Sequence, residues 1–150
     1  MAKILVVDDE RSIRNSMKEV LEFEGHVVTL AEDGETGLKE AEKEQFDLVF
    51  SDIKMPKMDG IELLAKMRQL QPSTKMILIS GHGTIETAVQ CMRNGAFDFI
   101  EKPMNLNRLL QAVKEAMSSN STESSNLRAA ISNGVKKATG GVVDDREMVG

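Results

Sequence analysis

The sequence contains neither tryptophan nor tyrosine, and Cys91 is its only cysteine. Without tryptophan or tyrosine it has no aromatic box on which bases or sugars could stack. A single cysteine cannot form an internal disulfide, which fits a reducing compartment. Because a catalytic thiol needs a base or cation beside it, we expect Cys91 to be an ordinary cysteine on a helix surface.

Long apolar runs and basic clusters are also absent from the sequence. No run approaches the roughly 20 apolar residues that span a bilayer, and residues 1–3 lead directly into a predicted strand instead of a signal peptide. The 19 basic and 24 acidic side chains give a formal charge of −5. Since binding to nucleic acid relies on a basic surface, we expect no direct contact with it. The sequence therefore predicts a cytoplasmic chain that does not enter the membrane.

Five largely apolar, strand-forming runs alternate with segments of helical periodicity. The runs occupy residues 4–7, 26–30, 46–51, 76–79 and 97–100. Strands that are apolar at successive positions are expected when helices cover both faces of a parallel sheet. A chain of 150 residues with 41% hydrophobic content can bury one such core. The sequence therefore predicts an α/β fold, a doubly wound five-stranded parallel sheet with five helices and right-handed crossovers.

Apolar spacing also predicts which face of each helix is buried. In the fourth helix the predicted inward positions are Ile85, Ala88, Val89 and Met92. In the last helix they are Leu106, Leu109, Leu110, Val113 and Met117. Both helices are therefore expected to pack on the sheet mainly through their larger apolar side chains.

The composition changes abruptly after residue 117. Residues 118–126 contain no apolar side chain, which is typical of a linker. The remaining residues are too few to build a core of their own. We therefore expect one domain over residues 1–117 and a mobile polar linker or tail over residues 118–150.

Polar side chains follow four of the predicted strands at the point where each strand ends. They are Asp8, Asp9, Asp52, Ser80 and Lys102. Because the carboxyl ends of parallel strands meet at one edge of a sheet, we expect these five side chains to form one site. Three carboxylates at one edge repel one another, and a hard cation such as Mg²⁺ relieves that repulsion.

The same five residues suit the transfer of a phosphoryl group to a carboxylate. The ammonium of Lys102 can pair with a phosphoryl oxygen, and the hydroxyl of Ser80 can hydrogen-bond another. Asp52 is the central carboxylate and hence the candidate nucleophile, which would become an acyl phosphate. Each residue alone also has an ordinary explanation, since aspartates cap helices and start turns. Their coincidence at one edge favours the site.

Four segments resemble the receiver domain of bacterial two-component response regulators. They are residues 6–10, 51–60, 80–83 and 101–103, which match its motifs in order and spacing, within a similarity that covers about residues 3–117. Residues 81–88 are most similar to the receivers of NtrC-type transcriptional activators, in which an AAA+ ATPase domain follows the linker. Residues 146–150 are similar to the start of that ATPase domain. His82 and Pro103 lie within these motifs.

The resemblance implies the flavodoxin-like receiver fold with strand order 2-1-3-4-5. It also implies that a sensor histidine kinase phosphorylates Asp52. Mg²⁺ would be bound by Asp9, Asp52 and the backbone carbonyl of Lys54, with Asp8 acting through water. Lys102 would pair with the phosphoryl group, and its peptide bond to Pro103 is expected to be cis.

The resemblance further implies that Ser80 and Phe99 act as a switch. Both would report phosphorylation to the surface of the fourth helix, fifth strand and fifth helix. A second copy, through a homodimer, or a C-terminal output domain with ATPase and DNA-binding parts would read that surface. Phe99 stands where the family has tyrosine or phenylalanine, so a contact through a tyrosine hydroxyl is not expected here.

Two other functions are alternatives to this one. A stand-alone receiver that acts by protein contact alone is the nearer alternative. A Mg²⁺-dependent phosphatase of the haloacid-dehalogenase type also uses an aspartate at a strand end, but it requires Asp-x-Asp after its first strand, which residues 8–10 do not supply. We therefore expect a regulatory phosphoacceptor and not an enzyme.

Overall fold

Five parallel strands form one sheet in the computed structural model, which describes residues 1–118. The strands are β1 (Lys3–Val7), β2 (Val27–Ala31), β3 (Leu48–Asp52), β4 (Lys75–Ser80) and β5 (Asp98–Glu101). Their spatial order is β2-β1-β3-β4-β5, and every neighbouring pair is parallel. The predicted fold class and strand order are therefore confirmed.

Five helices connect or follow the strands. They are α1 (Arg11–Phe23), α2 (Gly34–Lys43), α3 (Gly60–Leu70), α4 (Ile85–Arg93) and α5 (Leu106–Ser118). Four of them are preceded by a residue whose side chain accepts a hydrogen bond from a backbone N–H of the first turn. These residues are Asp33 at α2, Asp59 at α3, Thr84 at α4 and Asn105 at α5. These caps satisfy N–H groups that a helix leaves unpaired, and so they fix where each helix starts.

Helices cover both faces of the sheet, and each face has its own apolar cluster. Along β1, Leu5 and Val7 belong to the cluster that includes side chains of α2, α3 and α4. Ile4 and Val6 belong to the other cluster, which includes side chains of α1 and α5. Since successive side chains of a strand point to opposite faces, both faces must be apolar. This explains the continuous apolar runs in the sequence.

The buried face of α4 differs from the predicted one. Cys91 is completely buried, so its expected position on a helix surface was wrong. Ile85 was expected to face inward but is 57% exposed, because it starts the helix at the edge of the sheet, whereas Met92 is buried as predicted. Burial raises the pKa of the Cys91 thiol to about 11. The thiol is therefore protonated and unreactive at neutral pH.

The buried face of α5 is also rotated from the predicted stripe. Leu106 and Met117 are 53% and 39% exposed, whereas Ala112 and Ala116 are completely buried. Alanine is a weak apolar signal in a sequence, but it is frequently buried in proteins. The two alanines face the sheet, whereas Leu106 and Met117, at the two ends of the predicted stripe, are exposed to solvent.

The expectation of a mobile linker or tail over residues 118–150 lies outside the described residues, apart from Ser118, which ends α5. Within residues 1–118, no helix combines the length and the apolar character that crossing a bilayer requires.

Candidate functional site

The carboxyl ends of β1, β3 and β5 bring one lysine between two buried aspartates. Lys102 Nζ lies 3.2 Å from Asp52 Oδ2 and 3.4 Å from Asp8 Oδ2. Asp8 is 1% exposed and Asp52 is 6% exposed. Glu10 Oε1 lies 3.6 Å from the same ammonium, but its side chain is 59% exposed. An exposed pair of this kind contributes little, so the two aspartates are the main partners of Lys102.

Asp9 joins these two aspartates in a cluster of three carboxylates. One oxygen from each of Asp8, Asp9 and Asp52 lies within 4.8 Å of the others. Three negative charges here face the single ammonium of Lys102. The surplus of negative charge and the all-oxygen donor set both suit a hard divalent cation such as Mg²⁺.

The electrostatics of the site follow from burial. Burial raises the pKa of both Asp8 and Asp52, and the nearby charge of Lys102 offsets only part of that rise. Burial also acts to lower the pKa of Lys102, but the two carboxylates outweigh it and raise that pKa. The ammonium therefore stays charged, while the two carboxylates carry charge at a cost that a further cation would remove.

Backbone contacts hold Asp8 and Asp52 in place. Asp8 Oδ1 accepts a hydrogen bond from the N–H of Glu10 at 2.8 Å. The Ser51 hydroxyl donates to the backbone oxygen of Asp52 at 2.9 Å. The N–H of Gly60, at the start of α3, donates to the backbone oxygen of Ile53 at 2.8 Å. Both carboxylates therefore sit on backbone that is fixed by its neighbours.

The loop between β3 and α3 borders the cluster. A groove of about 490 Å³ is lined by Asp9, Ile53, Lys54, Met55, Pro56 and Asp59. In this loop Lys57 has a left-handed backbone, with φ of 69°, and Met58 is buried against Gly34 of α2. Lys54 thus lies in the wall of a groove that Asp9 also lines. The predicted role of its carbonyl stays a prediction.

Ser80 and Phe99 contact the same loop, which joins β4 to α4. The Ser80 hydroxyl is buried and accepts a hydrogen bond from the N–H of His82 at 3.1 Å. The Phe99 ring is partly exposed and lies over Gly83, where an added Cβ would come 2.7 Å from Phe99 Cζ. The side chain of His82 is exposed.

Lys102 follows β5 directly, and a backbone hydrogen bond fixes its position. Its backbone N–H donates to the backbone oxygen of Ser80 at 2.8 Å. The Lys102–Pro103 peptide bond is cis, as the resemblance implied.

The structure thus brings Asp8, Asp9, Asp52 and Lys102 into one cluster, with Ser80 on the adjoining strand. Sequence reasoning missed Arg14, whose Nη1 donates to the backbone oxygen of Asp8 at 2.6 Å. It also missed Glu10 as a third neighbour of Lys102. The one signal in the sequence was a cation in the first turn of the helix that follows the acidic pair.

Comparisons with known proteins agree with this geometry. The chain matches the family described as "Response regulator receiver domain" over residues 4–114. The chain belongs to this family.

Individual relatives of this receiver are regulatory proteins. It is 39% identical over 113 residues to the C4-dicarboxylate transport transcriptional regulatory protein DctD of Rhizobium meliloti (strain 1021), covering 75% of this chain and 25% of that protein. It is 40% identical over 116 residues to the nitrogen assimilation regulatory protein NtrX of Azorhizobium caulinodans, covering 76% of this chain and 26% of that protein. The likeness to receivers of NtrC-type regulators is therefore confirmed.

A solved structure supports the fold of the receiver. The receiver domain of NtrX from Brucella abortus superimposes with a TM-score of 0.73 at 41% sequence identity, covering 77% of this chain and 99% of that one. The present chain spans about a quarter of the length of the two curated relatives.

Gly60→Ala is expected to destabilise the receiver by about 1–3 kcal/mol, which is the usual cost of overpacking. An added Cβ would meet the backbone oxygen of Asp52 and would lie 2.8 Å from the Cα of Ile53. Because both neighbours are backbone atoms, the strand end itself must shift. Urea unfolding followed by circular dichroism measures the change.

Gly81→Ala provides the matched control for this stability measurement. The nearest atoms to an added Cβ at Gly81 are 3.9 Å away, in the Lys102 side chain. Its free energy of unfolding should stay within about 0.5 kcal/mol of wild type. Equal stabilities for Gly60→Ala and wild type would show that α3 does not need this close approach.

Proposed function

We propose that this receiver accepts a phosphoryl group on Asp52 from the phosphohistidine of a sensor histidine kinase. The observation that carries the proposal is the position of Lys102 Nζ, 3.2 Å from Asp52 and 3.4 Å from Asp8 in a cluster of three carboxylates. A carboxylate beside a fixed ammonium can receive a phosphoryl group whose added charge the ammonium balances. A carboxylate nucleophile needs no general base, because its ionised form carries no proton that must be removed.

In the proposed reaction an Asp52 carboxylate oxygen forms a bond to phosphorus while the bond from phosphorus to the donor imidazole nitrogen breaks. The electron pair of that bond returns to the imidazole. Lys102 holds its ammonium toward Asp52 and can follow the transferred group, since it already bridges two acidic partners. Catalysis of this kind depends on alignment and charge balance.

Asp8, Asp9, Asp52 and the backbone carbonyl of Lys54 would hold Mg²⁺. These residues suit the ion, because carboxylate oxygens with a surplus of negative charge lie within 4.8 Å of one another. When bound, Mg²⁺ supplies neutralisation of the negative charge on the phosphoryl oxygens.

A small phosphodonor tests the proposal directly. Acetyl phosphate with Mg²⁺ should add one phosphoryl group to the intact protein, as measured by mass spectrometry, and hydroxylamine should remove it, as expected for an acyl phosphate. A chelator should prevent the labelling. Labelling that persists without Mg²⁺, or that resists hydroxylamine, would contradict a metal-assisted acyl phosphate.

We further propose that phosphorylation controls an output surface formed by α4, β5 and α5, here called the α4–β5–α5 surface. Ile85 of α4 is exposed on it, and Phe99 of β5 is partly exposed. Ser80 and Phe99 both contact the loop that leads into α4. A hydroxyl that turns toward the phosphoryl group must release the N–H of His82, so the loop and the ring can change together.

The proposed readers of this surface are a second copy of the receiver and a C-terminal output domain. DctD and NtrX are named as regulatory proteins, and the receiver covers about a quarter of each. We propose by analogy a cytoplasmic transcriptional regulator in which AAA+ ATPase and DNA-binding domains follow the linker. The receiver itself would be a regulatory module and not an enzyme with an external substrate.

Ser80→Ala is expected to abolish the effect of phosphorylation on self-association while Asp52 still accepts the phosphoryl group. The variant lacks the hydroxyl that connects the site to the α4 loop, and the nucleophile is unchanged. Sedimentation velocity with and without beryllofluoride, a phosphoryl mimic, and Mg²⁺ measures the response. Wild type should sediment faster with the mimic, and Ser80→Ala should not.

Ser73→Ala is the control for this measurement. Ser73 is exposed and precedes β4, the strand that Ser80 ends, so it lies at the other end of that strand from the site. It should respond to the mimic as wild type does. A Ser80→Ala variant that self-associates as strongly as wild type would show that the hydroxyl does not transmit the signal.

A further inference from the structure

Among the three clustered carboxylates, Asp9 has the weakest anchoring. Asp8 and Asp52 are buried and share the ammonium of Lys102. Asp9 is exposed, and within residues 1–118 its carboxylate makes no hydrogen bond or ion pair. Its place in the cluster must therefore come from the backbone that carries it.

That backbone is held by a side chain of α1. Arg14 Nη1 donates a hydrogen bond of 2.6 Å to the backbone oxygen of Asp8. This oxygen belongs to the peptide unit that joins Asp8 to Asp9. Because a peptide unit is planar, fixing its oxygen also fixes the direction in which the Asp9 N–H and Cα leave it. A hydrogen bond from a charged donor is about twice as strong as a neutral one.

Two other contacts complete the support of the turn between β1 and α1. The N–H of Asp8 donates to the backbone oxygen of Ala31 at 3.1 Å. Asp8 Oδ1 accepts from the N–H of Glu10 at 2.8 Å. These two contacts hold Asp8 from the side of β2 and from within the turn. Among residues 1–118, only Arg14 donates a hydrogen bond to the backbone oxygen between Asp8 and Asp9.

We propose that Arg14 is a positioning residue for the metal site. Its hydrogen bond holds Asp9 where the Asp9 carboxylate can share a cation with Asp8 and Asp52. The inference rests on the proposed function, because it presumes that the cluster binds Mg²⁺. The charge of Arg14 by itself opposes this role, since a guanidinium near the cluster repels a divalent cation. If Arg14 acts through its position, its removal should weaken the binding of Mg²⁺. If it acts through its charge, its removal should strengthen that binding.

Isothermal titration of Mg²⁺ alone into the metal-free receiver decides between the two signs. Arg14→Met should bind Mg²⁺ roughly tenfold more weakly than wild type, as is typical when the support of a metal ligand is lost. The titration is made well below the melting temperature, so that the folded fraction stays complete. A loss of stability alone then leaves the measured affinity unchanged.

Arg11→Met is the matched control. Arg11 is exposed in the same turn of α1 and carries the same charge. Its removal should leave the dissociation constant within about twofold of wild type or make it slightly lower, because only screened charge is lost. Arg14→Gln repeats the measurement if Arg14→Met fails to fold, and it should also weaken binding.

Three outcomes separate the inference from the function on which it rests. Weaker binding by the Arg14 variants, with near-normal binding by Arg11→Met, supports positioning by Arg14. Equal or tighter binding by the Arg14 variants overturns it while leaving the metal site intact. A wild-type protein that does not bind Mg²⁺ overturns the metal site itself.

Discussion

Asp52→Asn is expected to abolish phosphorylation by acetyl phosphate. The amide keeps the size and shape of the side chain but has no negatively charged oxygen to attack phosphorus. The loss should be complete within the sensitivity of intact-protein mass spectrometry, because Asp52 is the carboxylate that lies 3.2 Å from Lys102 Nζ at the end of the central strand β3. Stoichiometric labelling of the variant would show that another residue is the acceptor.

The same variant should be no less stable than wild type without metal at neutral pH. Burial raises the pKa of Asp52 in spite of Lys102. A raised pKa means that the folded protein binds the proton more readily than the unfolded chain, so ionisation of Asp52 costs stability. Lys102 keeps Asp8 as a partner at 3.4 Å in the variant. A melting temperature well below that of wild type would contradict this account.

The raised pKa values also predict how the stability of the receiver depends on pH. Stability contributed by the protonated forms of Asp8 and Asp52 is present below their unfolded pKa of about 3.9 and is lost as pH rises through their raised folded pKa values. Asp52→Asn should therefore lose less stability than wild type as the pH rises over this range. Thermal melts in metal-free buffers of increasing pH measure the difference.

Asp47→Asn is the matched control for the loss of phosphorylation. Asp47 precedes the same strand at the opposite edge of the sheet, where its carboxylate accepts a hydrogen bond from the N–H of Lys3 at 2.8 Å. The same change of acid to amide there should leave phosphorylation at the wild-type level. A loss of labelling in Asp47→Asn would indicate damage to the fold and not to the nucleophile.

The strands and the site could be predicted because their signals are local. Asp8 and Asp52 each stand directly after an apolar run, and Lys102 follows two residues after the end of another. Parallel strands place such positions at one edge. The helix faces were harder to predict. Cys91, Ala112 and Ala116 are weak apolar signals, yet each is completely buried. How deeply a helix residue is buried depends on how the helix packs on the sheet. The spacing of apolar residues in the sequence does not give that packing.

The contact of Arg14 with Asp8 could not be predicted for a different reason. Its acceptor is a backbone oxygen, and every residue has one. No residue type marks which of these oxygens a guanidinium will reach. The two groups come to 2.6 Å only in the folded chain, where α1 packs beside the end of β1.

Lys102→Met is expected to destabilise the metal-free receiver strongly at neutral pH. Methionine preserves an unbranched side chain of similar length but removes the ammonium shared by Asp8 and Asp52. Loss of one partner from a buried ion pair costs roughly 3–5 kcal/mol. Protonation of one carboxylate relieves part of this cost, so we expect a loss of about 2–3 kcal/mol in the free energy of unfolding.

Urea unfolding with and without Mg²⁺ measures the effect, and Lys43→Met is its control. Lys43 pairs with Glu40 at 3.6 Å, but its side chain is 71% exposed. Such a surface pair contributes at most about 1 kcal/mol. Mg²⁺ should recover more stability in Lys102→Met than in wild type, because a cation then meets carboxylates that have no other counter-charge.

The double variant Asp52→Asn, Lys102→Met tests whether these two side chains act as one unit. With Asp52 already neutral, removing Lys102 leaves one buried carboxylate unpaired instead of two. The cost of Lys102→Met should therefore be smaller in the Asp52→Asn background than in wild type, and a double-mutant cycle gives that difference as the interaction energy. Pairs in direct contact show interaction energies of about 0.5–3 kcal/mol. An interaction energy near zero would mean that Lys102 stabilises the site through Asp8 alone, and the assignment of Lys102 as the counter-charge of the phosphoacceptor would then be wrong.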